Sequence, residues 1–179
     1  MSKRIGLIGY PLKHSISPIF QQVALDYYGL DIRYEAWETE SGQLKPAVEG
    51  LRSPQNAGAN VTVPYKEAVL SLMDELDEMA SSAGAVNTIV KKDDKLIGHN
   101  TDVGGFLQAL RQDGGLEPAG KRVVILGAGG AARAVSFALI KAGVGSLTIV
   151  NRTPERGERL TDALKGGAAK EDRDTEISA

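Results

Sequence analysis

A glycine cluster in the second half of the chain is the feature that most constrains its fold. The run Lys121–Leu126 is a short apolar strand, and the small residues of Ala131–Ala142 favour a helix. A strand that turns through glycines directly into a helix is typical of a Rossmann-like dinucleotide-binding fold. We therefore predict a pyrophosphate-binding turn, with a ligand-free tight turn as the alternative. The turn fits G-x-G-x-x-[GA] and consists of Gly127, Ala128, Gly129, Gly130, Ala131 and Ala132.

The residues after the next strand bear on the choice of dinucleotide. The strand Ser146–Val150 is followed by Asn151, Arg152 and Thr153, at the place where an NAD-preferring site would carry Asp or Glu. An arginine can pair with a 2′-phosphate, and a missing carboxylate removes the repulsion against it. The sequence therefore favours NADP and predicts these three residues as cofactor contacts. A solvated arginine in a loop is the alternative.

The rest of the chain alternates strands with helices, which indicates an α/β protein with a mostly parallel sheet. We predict strands over 4–9, 32–37, 58–63, 85–90 and 95–98. We predict helices over 17–29, 43–51, 65–72, 75–81, 101–111 and 154–164. Residues 112–120 are rich in Gly and Pro and mark a domain boundary. We expect a substrate-binding α/β domain over 1–111, the first part of a Rossmann-like domain over 121–165 and a disordered tail over 166–179.

Composition excludes several classes of function. The net charge of −2 argues against a dedicated nucleic-acid binder, which usually shows a basic stripe. The chain has no cysteine and two histidines, so we expect no disulfide, no thiolate nucleophile and no metal site. No apolar run approaches the roughly 18 residues that span a bilayer, so we expect no membrane partner. A reducing, cytoplasmic location fits the lack of cysteine.

Four polar clusters lie at predicted strand ends, where open α/β sheets bind their ligands. Taken singly, each has a structural explanation: Ser17 and Asp102 as helix caps, Lys66 as a surface lysine, and the asparagines as turn residues. Taken together, they provide one lysine, one aspartate and several neutral donors, a set that suits a small polyhydroxylated acid. The clusters are Ser15/Ser17, Asn60/Thr62/Lys66, Asn87/Thr88 and Asn100/Thr101/Asp102.

Six segments of the chain, taken in order, resemble the motif series of the shikimate dehydrogenases. They are GYPLKHSISP (9–18), GANVTVPYKE (58–67), AGAVNT (83–88), GHNTDVGGF (98–106), GAGGAARA (127–134) and NRTPER (151–156). The resemblance implies NADPH-dependent, reversible reduction of 3-dehydroshikimate to shikimate, on the route to chorismate and the aromatic amino acids. The small molecule expected as substrate is therefore 3-dehydroshikimate or shikimate, and the cofactor is NADP.

The resemblance also implies roles for the polar clusters. Ser15 and Ser17 would hold the substrate carboxylate, with Thr62 nearby, and Asn60 would line the same pocket. The residues around the reacting carbonyl and its neighbouring hydroxyl would be Lys66, Asn87 and Asp102. Lys66 would be the general acid, and Asp102 would orient it or bind a substrate hydroxyl. Asn151, Arg152 and Thr153 match the 2′-phosphate loop of the family.

The chain also departs from the family. Too few residues follow Gly120 for a complete six-stranded nucleotide domain. We therefore expect an N-terminal fragment or a truncated form. Two alternatives stay open: a quinate/shikimate dehydrogenase that accepts NAD, and a catalytically incompetent fragment that only binds shikimate or docks to a partner. The oligomeric state is also open, with a homodimer as one option.

Overall fold

The chain divides into two compact units, and a computed structural model describes residues 3–168 and 175–179 of it. The first unit comprises Met1–Ala80 and Val86–His99, and the second comprises Ser81–Ala85 and Asn100–Ala179. This division differs from the boundary at 112–120 that the sequence predicts. The helix that begins at Asp102 packs within the second unit, so the division comes before it.

The first unit is built on one six-stranded sheet. Its strands are β1 (Lys3–Gly9), β2 (Ile32–Glu38), β3 (Asn56–Val61), β4 (Glu75–Leu76), β5 (Thr88–Lys92) and β6 (Lys95–His99). Its helices are α1 (Ser17–Tyr27), α2 (Leu44–Glu49) and the start of α3 (Glu78–Ala83), with short 3-10 helices at Gly50–Arg52 and Ala68–Leu72. The strand order is β2-β1-β3-β5-β6-β4. Only β5 runs antiparallel to its neighbours, so the sheet is mostly parallel.

Strand β1 lies between β2 and β3 and is parallel to both. Leu7 and Ile8, which point to opposite faces of the strand, belong to two separate apolar clusters. The sheet is therefore covered on both faces around β1, as the continuous apolar run of this strand predicts. Because β1 and β3 are parallel neighbours, the segments that follow them start at the same edge of the sheet.

Two predicted helices of this unit are replaced by other structure. The predicted helix 65–72 is a turn followed by the 3-10 helix, because the Lys66 carbonyl accepts a hydrogen bond from Val86 N (2.8 Å) rather than from the next helical turn. The predicted helix 75–81 begins as strand β4. Asp74 explains this, since its carboxylate accepts from Leu96 N (2.7 Å) on β6 and pairs with Arg52. The hydrogen bond from Arg52 holds the pKa of the Asp74 carboxyl below its usual value.

The second unit carries a three-stranded parallel sheet in the order β7-β8-β9. Its elements are α4 (Asp102–Gln112), β7 (Arg122–Leu126), α5 (Gly130–Lys141), β8 (Ser146–Val150), α6 (Pro154–Ala168) and β9 (Glu176–Ser178). Helix α5 buries most of its apolar side chains, including Phe137, Leu139 and Ile140. The predicted α/β class with mostly parallel strands is confirmed in both units. Within the described ranges, no helix is long and apolar enough to cross a membrane.

The expectation of a disordered tail over 166–179 is wrong at both of its ends. Helix α6 continues to Ala168, and residues 176–178 form strand β9, which pairs in parallel with β8. Ile177 is buried and lies opposite Leu147 in the register. A three-residue strand with one large apolar side chain carries too little pattern to be recognised in a sequence. The middle of the predicted tail, 169–174, lies outside the described residues.

Candidate functional site

The segments after β1 and β3 begin side by side at one edge of the first sheet. Thr62 N donates to Ile8 O (2.9 Å), and Tyr10 N donates to Val63 O (3.0 Å). Gly9 makes this close approach possible, because a Cβ there would lie 2.4 Å from Thr62 Cγ2. The Thr62 side chain is therefore fixed beside the start of the segment that carries the two predicted serines.

Ser15 and Ser17 lie on the short segment between β1 and α1, and both are partly exposed. Leu12 is buried and anchors this segment, and its carbonyl accepts a hydrogen bond from Ser15 N (2.9 Å). Ser15 Oγ accepts from Ser17 N (3.3 Å). The proposed helix-capping role of Ser17 is wrong, since Ile16 occupies the capping position and Ser17 is the first residue of α1. The Ser17 hydroxyl is thus not needed to cap the helix.

Backbone hydrogen bonds connect the segment that carries Asn87 to β3 and to the loop that carries Lys66. Val61 N donates to Asn87 O (2.8 Å), and Val86 N donates to Lys66 O (2.8 Å). Next to Lys66, the buried Tyr65 donates from its hydroxyl to Thr39 O (2.7 Å). The loop after β3 and the segment that enters β5 are therefore held together, and Lys66 is partly buried between these anchors.

Asn60 lies on β3 next to these groups. Its Oδ1 accepts from the hydroxyl of Tyr34 (2.8 Å), and its Nδ2 donates to Thr88 Oγ1 (3.1 Å) and Asn87 O (3.4 Å). Thr88 Oγ1 in turn donates to Asn87 Oδ1 (3.0 Å). Four polar side chains from three segments of the first unit thus form one connected cluster.

Tyr34 is a member of this cluster that the sequence interpretation missed. It lies on β2, is buried, and packs in the smaller apolar cluster with Leu7 and Leu12. Burial raises the pKa of its hydroxyl to about 12, so Tyr34 stays a protonated donor well above neutral pH. The alternating pattern of 32–37 does place Tyr34 on the inward face, but a tyrosine in that pattern indicates only core packing.

Asp102 lies in the second unit, at the first residue of α4. The helix is capped by Asn100, whose Oδ1 accepts from Asp102 N (3.0 Å) and Val103 N (3.3 Å). Asn100 is buried and donates from Nδ2 to Ala85 O (2.8 Å). The alternative role of Asp102 as a helix cap is therefore wrong, because Thr101 occupies the capping position and Asn100 supplies the side-chain acceptor. The grouping of Asp102 with Lys66, which belongs to the first unit, stays a prediction.

The glycine turn of the second unit connects β7 to α5 as predicted. Gly127 has a φ of +113°, a conformation that favours glycine, and its N–H donates to Val150 O (2.8 Å) at the end of β8. No described atom lies within 4 Å of a Cβ built on Gly127 or Gly129. Among the described residues, no side chain caps the N-terminus of α5. Open space, glycine backbone and uncapped N–H groups fit the phosphates of a dinucleotide.

The loop after β8 carries the other predicted cofactor contacts. Asn151 Nδ2 donates to Thr153 O (2.7 Å), which holds the turn before α6 in shape. Arg152 lies between them and is exposed, as is Thr153. Since the Gly127 N–H bonds to Val150 O, this loop starts beside the glycine turn. An arginine in this place can form charge-assisted hydrogen bonds with a phosphate group.

Comparisons with known proteins agree with this arrangement. A family model described as the shikimate dehydrogenase substrate binding domain matches residues 7–89, and one described as shikimate / quinate 5-dehydrogenase matches residues 109–178. A relative from Moorella thermoacetica, named shikimate dehydrogenase (NADP(+)), is 51% identical over 162 residues. That match covers 90% of this chain and 55% of the relative, so the chain spans about half the length of the curated relatives it matches.

Two solved structures show the same similarity in three dimensions. A shikimate dehydrogenase in complex with NADP+ aligns with a TM-score of 0.87 at 40% identity, over 99% of this chain and 61% of that one. The enzyme of Thermus thermophilus, in complex with NADP(H) and shikimate, aligns with a TM-score of 0.83 at 38% identity, over 99% and 62%. Both matches and both family models concern one family. The chain therefore belongs to the shikimate dehydrogenase family.

Proposed function

We propose that this chain carries the substrate site, and the beginning of the NADP site, of an enzyme that reversibly reduces 3-dehydroshikimate to shikimate on the route to chorismate. The observation that supports this most directly is the convergence of Thr62, Lys66 and Asn87 through the backbone bonds Val61 N–Asn87 O and Val86 N–Lys66 O. These residues offer a hydroxyl, an ammonium and an amide at one edge of the sheet. That set suits a hydroxylated, carboxylated ring.

Substrate recognition is assigned to neutral donors and one cation. The hydroxyls of Ser15, Ser17 and Thr62 bind the substrate carboxylate, which accepts hydrogen bonds at both oxygens. Asn87 binds a ring hydroxyl through its amide. Because Gly9 lets Thr62 pack against the start of the serine segment, the carboxylate-binding hydroxyls come from two neighbouring loops.

Lys66 is assigned the proton transfer. When it is bound, NADPH supplies the hydride that reduces the keto carbon. Negative charge then develops on the carbonyl oxygen, and the Lys66 ammonium donates a proton to that oxygen to complete the hydroxyl. In the reverse direction the Lys66 amine accepts the same proton. Asp102 is assigned to orient Lys66 or to bind the neighbouring hydroxyl.

The cofactor is assigned to the second unit. The glycine turn of residues 127–132 and the N-terminus of α5 are assigned to hold the pyrophosphate, since the helix has no side-chain cap and the Cβ positions of Gly127 and Gly129 are open. Arg152, with Asn151 and Thr153, holds the 2′-phosphate that distinguishes NADP from NAD. The alternative of an enzyme that accepts NAD is disfavoured by Arg152.

A second candidate is a chain that binds shikimate without turning it over. Both candidates predict substrate binding, and they differ in catalysis. A dehydrogenase assay with shikimate and NADP+ separates them, because only the first produces NADPH.

Titration of the ¹⁵N-labelled chain with shikimate tests the substrate site. We expect backbone shifts to cluster at Ser15, Thr62, Lys66 and Asn87. A parallel titration with NADP+ should shift Gly127–Ala132 and Arg152, and NAD+ should bind more weakly. Shikimate shifts that avoid the first group, or equal binding of both dinucleotides, would contradict the respective assignment.

The cellular location and the oligomeric state of the protein are the last two parts of the proposal. We infer a cytoplasmic location, which the lack of cysteine supports. A homodimer is the assembly to test, and light scattering after size exclusion would distinguish a mass of 19.0 kDa from twice that value.

A further inference from the structure

We propose that Tyr34 is a positioning residue for substrate binding, which it controls by fixing the amide orientation of Asn87 through Asn60 and Thr88. This inference rests on the function proposed above, because Asn87 is there the residue that meets the substrate. It gives a role to a buried tyrosine on β2 and changes the role of Asn60. Asn60 becomes a positioning residue rather than a ligand contact.

The orientation of the Asn60 amide is the first step. Asn87 O is a backbone carbonyl and can only accept, so the Asn60 group that faces it at 3.4 Å must be Nδ2. The same Nδ2 lies 3.1 Å from Thr88 Oγ1. Asn60 Oδ1 therefore faces Tyr34 and accepts from its hydroxyl at 2.8 Å. All of these contacts lie within the first unit.

The orientation of Asn87 follows as the second step. Thr88 Oγ1 accepts from Asn60 Nδ2, so its single proton is directed to Asn87 Oδ1, 3.0 Å away. With Oδ1 accepting from Thr88, the amide plane of Asn87 is set and Nδ2 lies on the other side of it. The residue then meets a ligand as a donor. That polarity suits a substrate hydroxyl or carbonyl oxygen.

Tyr34 and the backbone of Asn87, at the two ends of this series of hydrogen bonds, are each held in place by other contacts. Tyr34 is buried, its ring packs against Leu7 and Leu12, and its N–H donates to Gln22 Oε1 (2.8 Å). Its hydroxyl is protonated at neutral pH, as in any tyrosine, and its raised pKa extends this to more alkaline pH. At the other end, the Asn87 backbone donates to His99 O (3.0 Å) and accepts from Val61 N (2.8 Å). The backbone of Asn87 is thus fixed, and the bond from Thr88 Oγ1 acts on its side-chain amide.

The test compares substitutions inside and outside this chain of bonds. Tyr34→Phe and Thr88→Val remove one hydroxyl each and keep the side-chain shape. Each should lower shikimate affinity about tenfold, the effect of one net hydrogen bond. The double variant should lose no more than either single variant, because the two groups act in series. Thr88→Ser keeps the hydroxyl and should stay within about threefold of wild type.

Tyr65→Phe is the matched control. Tyr65 is a buried tyrosine whose hydroxyl also donates one hydrogen bond, but to Thr39 O and outside the cluster. It should lose a similar amount of thermal stability and stay within about threefold in shikimate affinity. An equal loss of affinity in Tyr65→Phe would show that general loosening, rather than orientation of Asn87, explains the result.

A ligand-free readout keeps this inference separate from the proposed function. The two side-chain amide protons of Asn87 give their own ¹H–¹⁵N signals, and these should move and exchange faster in Tyr34→Phe and in Thr88→Val. Unchanged signals in both variants would overturn the positioning role. Failure of the wild-type chain to bind shikimate would instead refute the proposed function, while the amide signals would still decide the role of Tyr34.

Discussion

The candidate sites of the two units are built from different parts of the chain: side chains in the first unit and backbone in the second. In the first, the candidate site is made of side chains that are fixed by other side chains, as Asn60 is by Tyr34 and Thr88. In the second, no side chain caps the helix that follows the glycine turn, and apart from the adjacent residues no described atom comes near a Cβ built on Gly127 or Gly129. Side-chain recognition suits a substrate that must be distinguished from similar molecules, and backbone recognition suits the phosphates shared by all dinucleotides.

The difference predicts how each unit responds to substitution. Where a site depends on oriented side chains, removing one functional group changes affinity or rate strongly. Where it depends on backbone, the sensitive change is the addition of a Cβ. Arg152 is the exception in the second unit, because a 2′-phosphate is recognised by charge. Substitutions in both units therefore test whether the contrast holds.

The largest effect is expected for Lys66→Ala, measured in a catalytically active form of the protein. Loss of a general acid should lower kcat by about 10²–10⁴-fold, with a modest change in KM. Steady-state kinetics with shikimate and NADP+ measure both constants. Lys45→Ala, which removes an exposed lysine of α2, serves as control and should leave them unchanged. A large rise in KM at unchanged kcat would make Lys66 a binding residue instead.

Arg152→Ala should weaken NADP(H) roughly 10–100-fold, the range expected for one charge-assisted hydrogen bond to phosphate. NAD(H), which lacks the 2′-phosphate, should change little. Calorimetric titration with both dinucleotides gives the comparison. Arg159→Ala on the exposed face of α6 controls for the loss of one positive charge. Equal weakening of both dinucleotides would mean that Arg152 does not select between them.

In the first unit, Gly9→Ala should lower the free energy of unfolding, because the new Cβ would clash with neighbouring atoms. The new Cβ would lie 2.4 Å from Thr62 Cγ2, 2.9 Å from Leu12 Cδ2 and 3.0 Å from Val63 O, so the loops after β1 and β3 must separate. We expect a loss of about 3 kcal/mol in the free energy of unfolding, the upper end for overpacking. Shikimate affinity should fall with it, since Thr62 moves.

The control for Gly9→Ala is Gly166→Ala, measured in the same urea unfolding series. Gly166 lies in helix α6 with no described atom near its Cβ position. Alanine is the better helix former there, so the variant should gain about 0.5–1 kcal/mol. If both variants were neutral, the contacts at Gly9 would not limit the position of Thr62.

Local patterns in the sequence predict the second unit well. The predicted strand at 146–150 matches β8, and the predicted strand and helix around the glycines differ from β7 and α5 by one residue. The apolar segments are short and are bounded by glycines. Both features can be recognised from a few consecutive residues. The position of the glycine turn between a strand and a helix could therefore be predicted from spacing alone. Among the described strands of the second unit, β9 alone, with one large apolar side chain, lacks such a pattern.

The first unit is harder to predict because its details depend on long-range contacts. Lys66 O accepts from Val86 N, 20 residues away in the chain, which replaces a predicted helix. Likewise, the hydroxyl of Tyr34 on β2 reaches Asn60 on β3. A sequence shows the residue types but not which of them will be neighbours. The polar clusters were visible, whereas their mutual orientation required the fold.

Gly127→Ala is expected to lower the free energy of unfolding less than Gly9→Ala does. It distinguishes a glycine required for its backbone conformation from Gly9, which is required because neighbouring atoms are close. No described atom would touch the new Cβ, so the cost comes from the φ of +113° alone, and we expect about 1 kcal/mol in the free energy of unfolding. NADP+ affinity should fall, because the Cβ enters the space assigned to the pyrophosphate, and shikimate affinity should not change. Urea unfolding and separate titrations of the two ligands measure this. A fall in shikimate affinity equal to that of Gly9→Ala would remove the contrast between the units, since backbone strain in one would then act on side chains in the other.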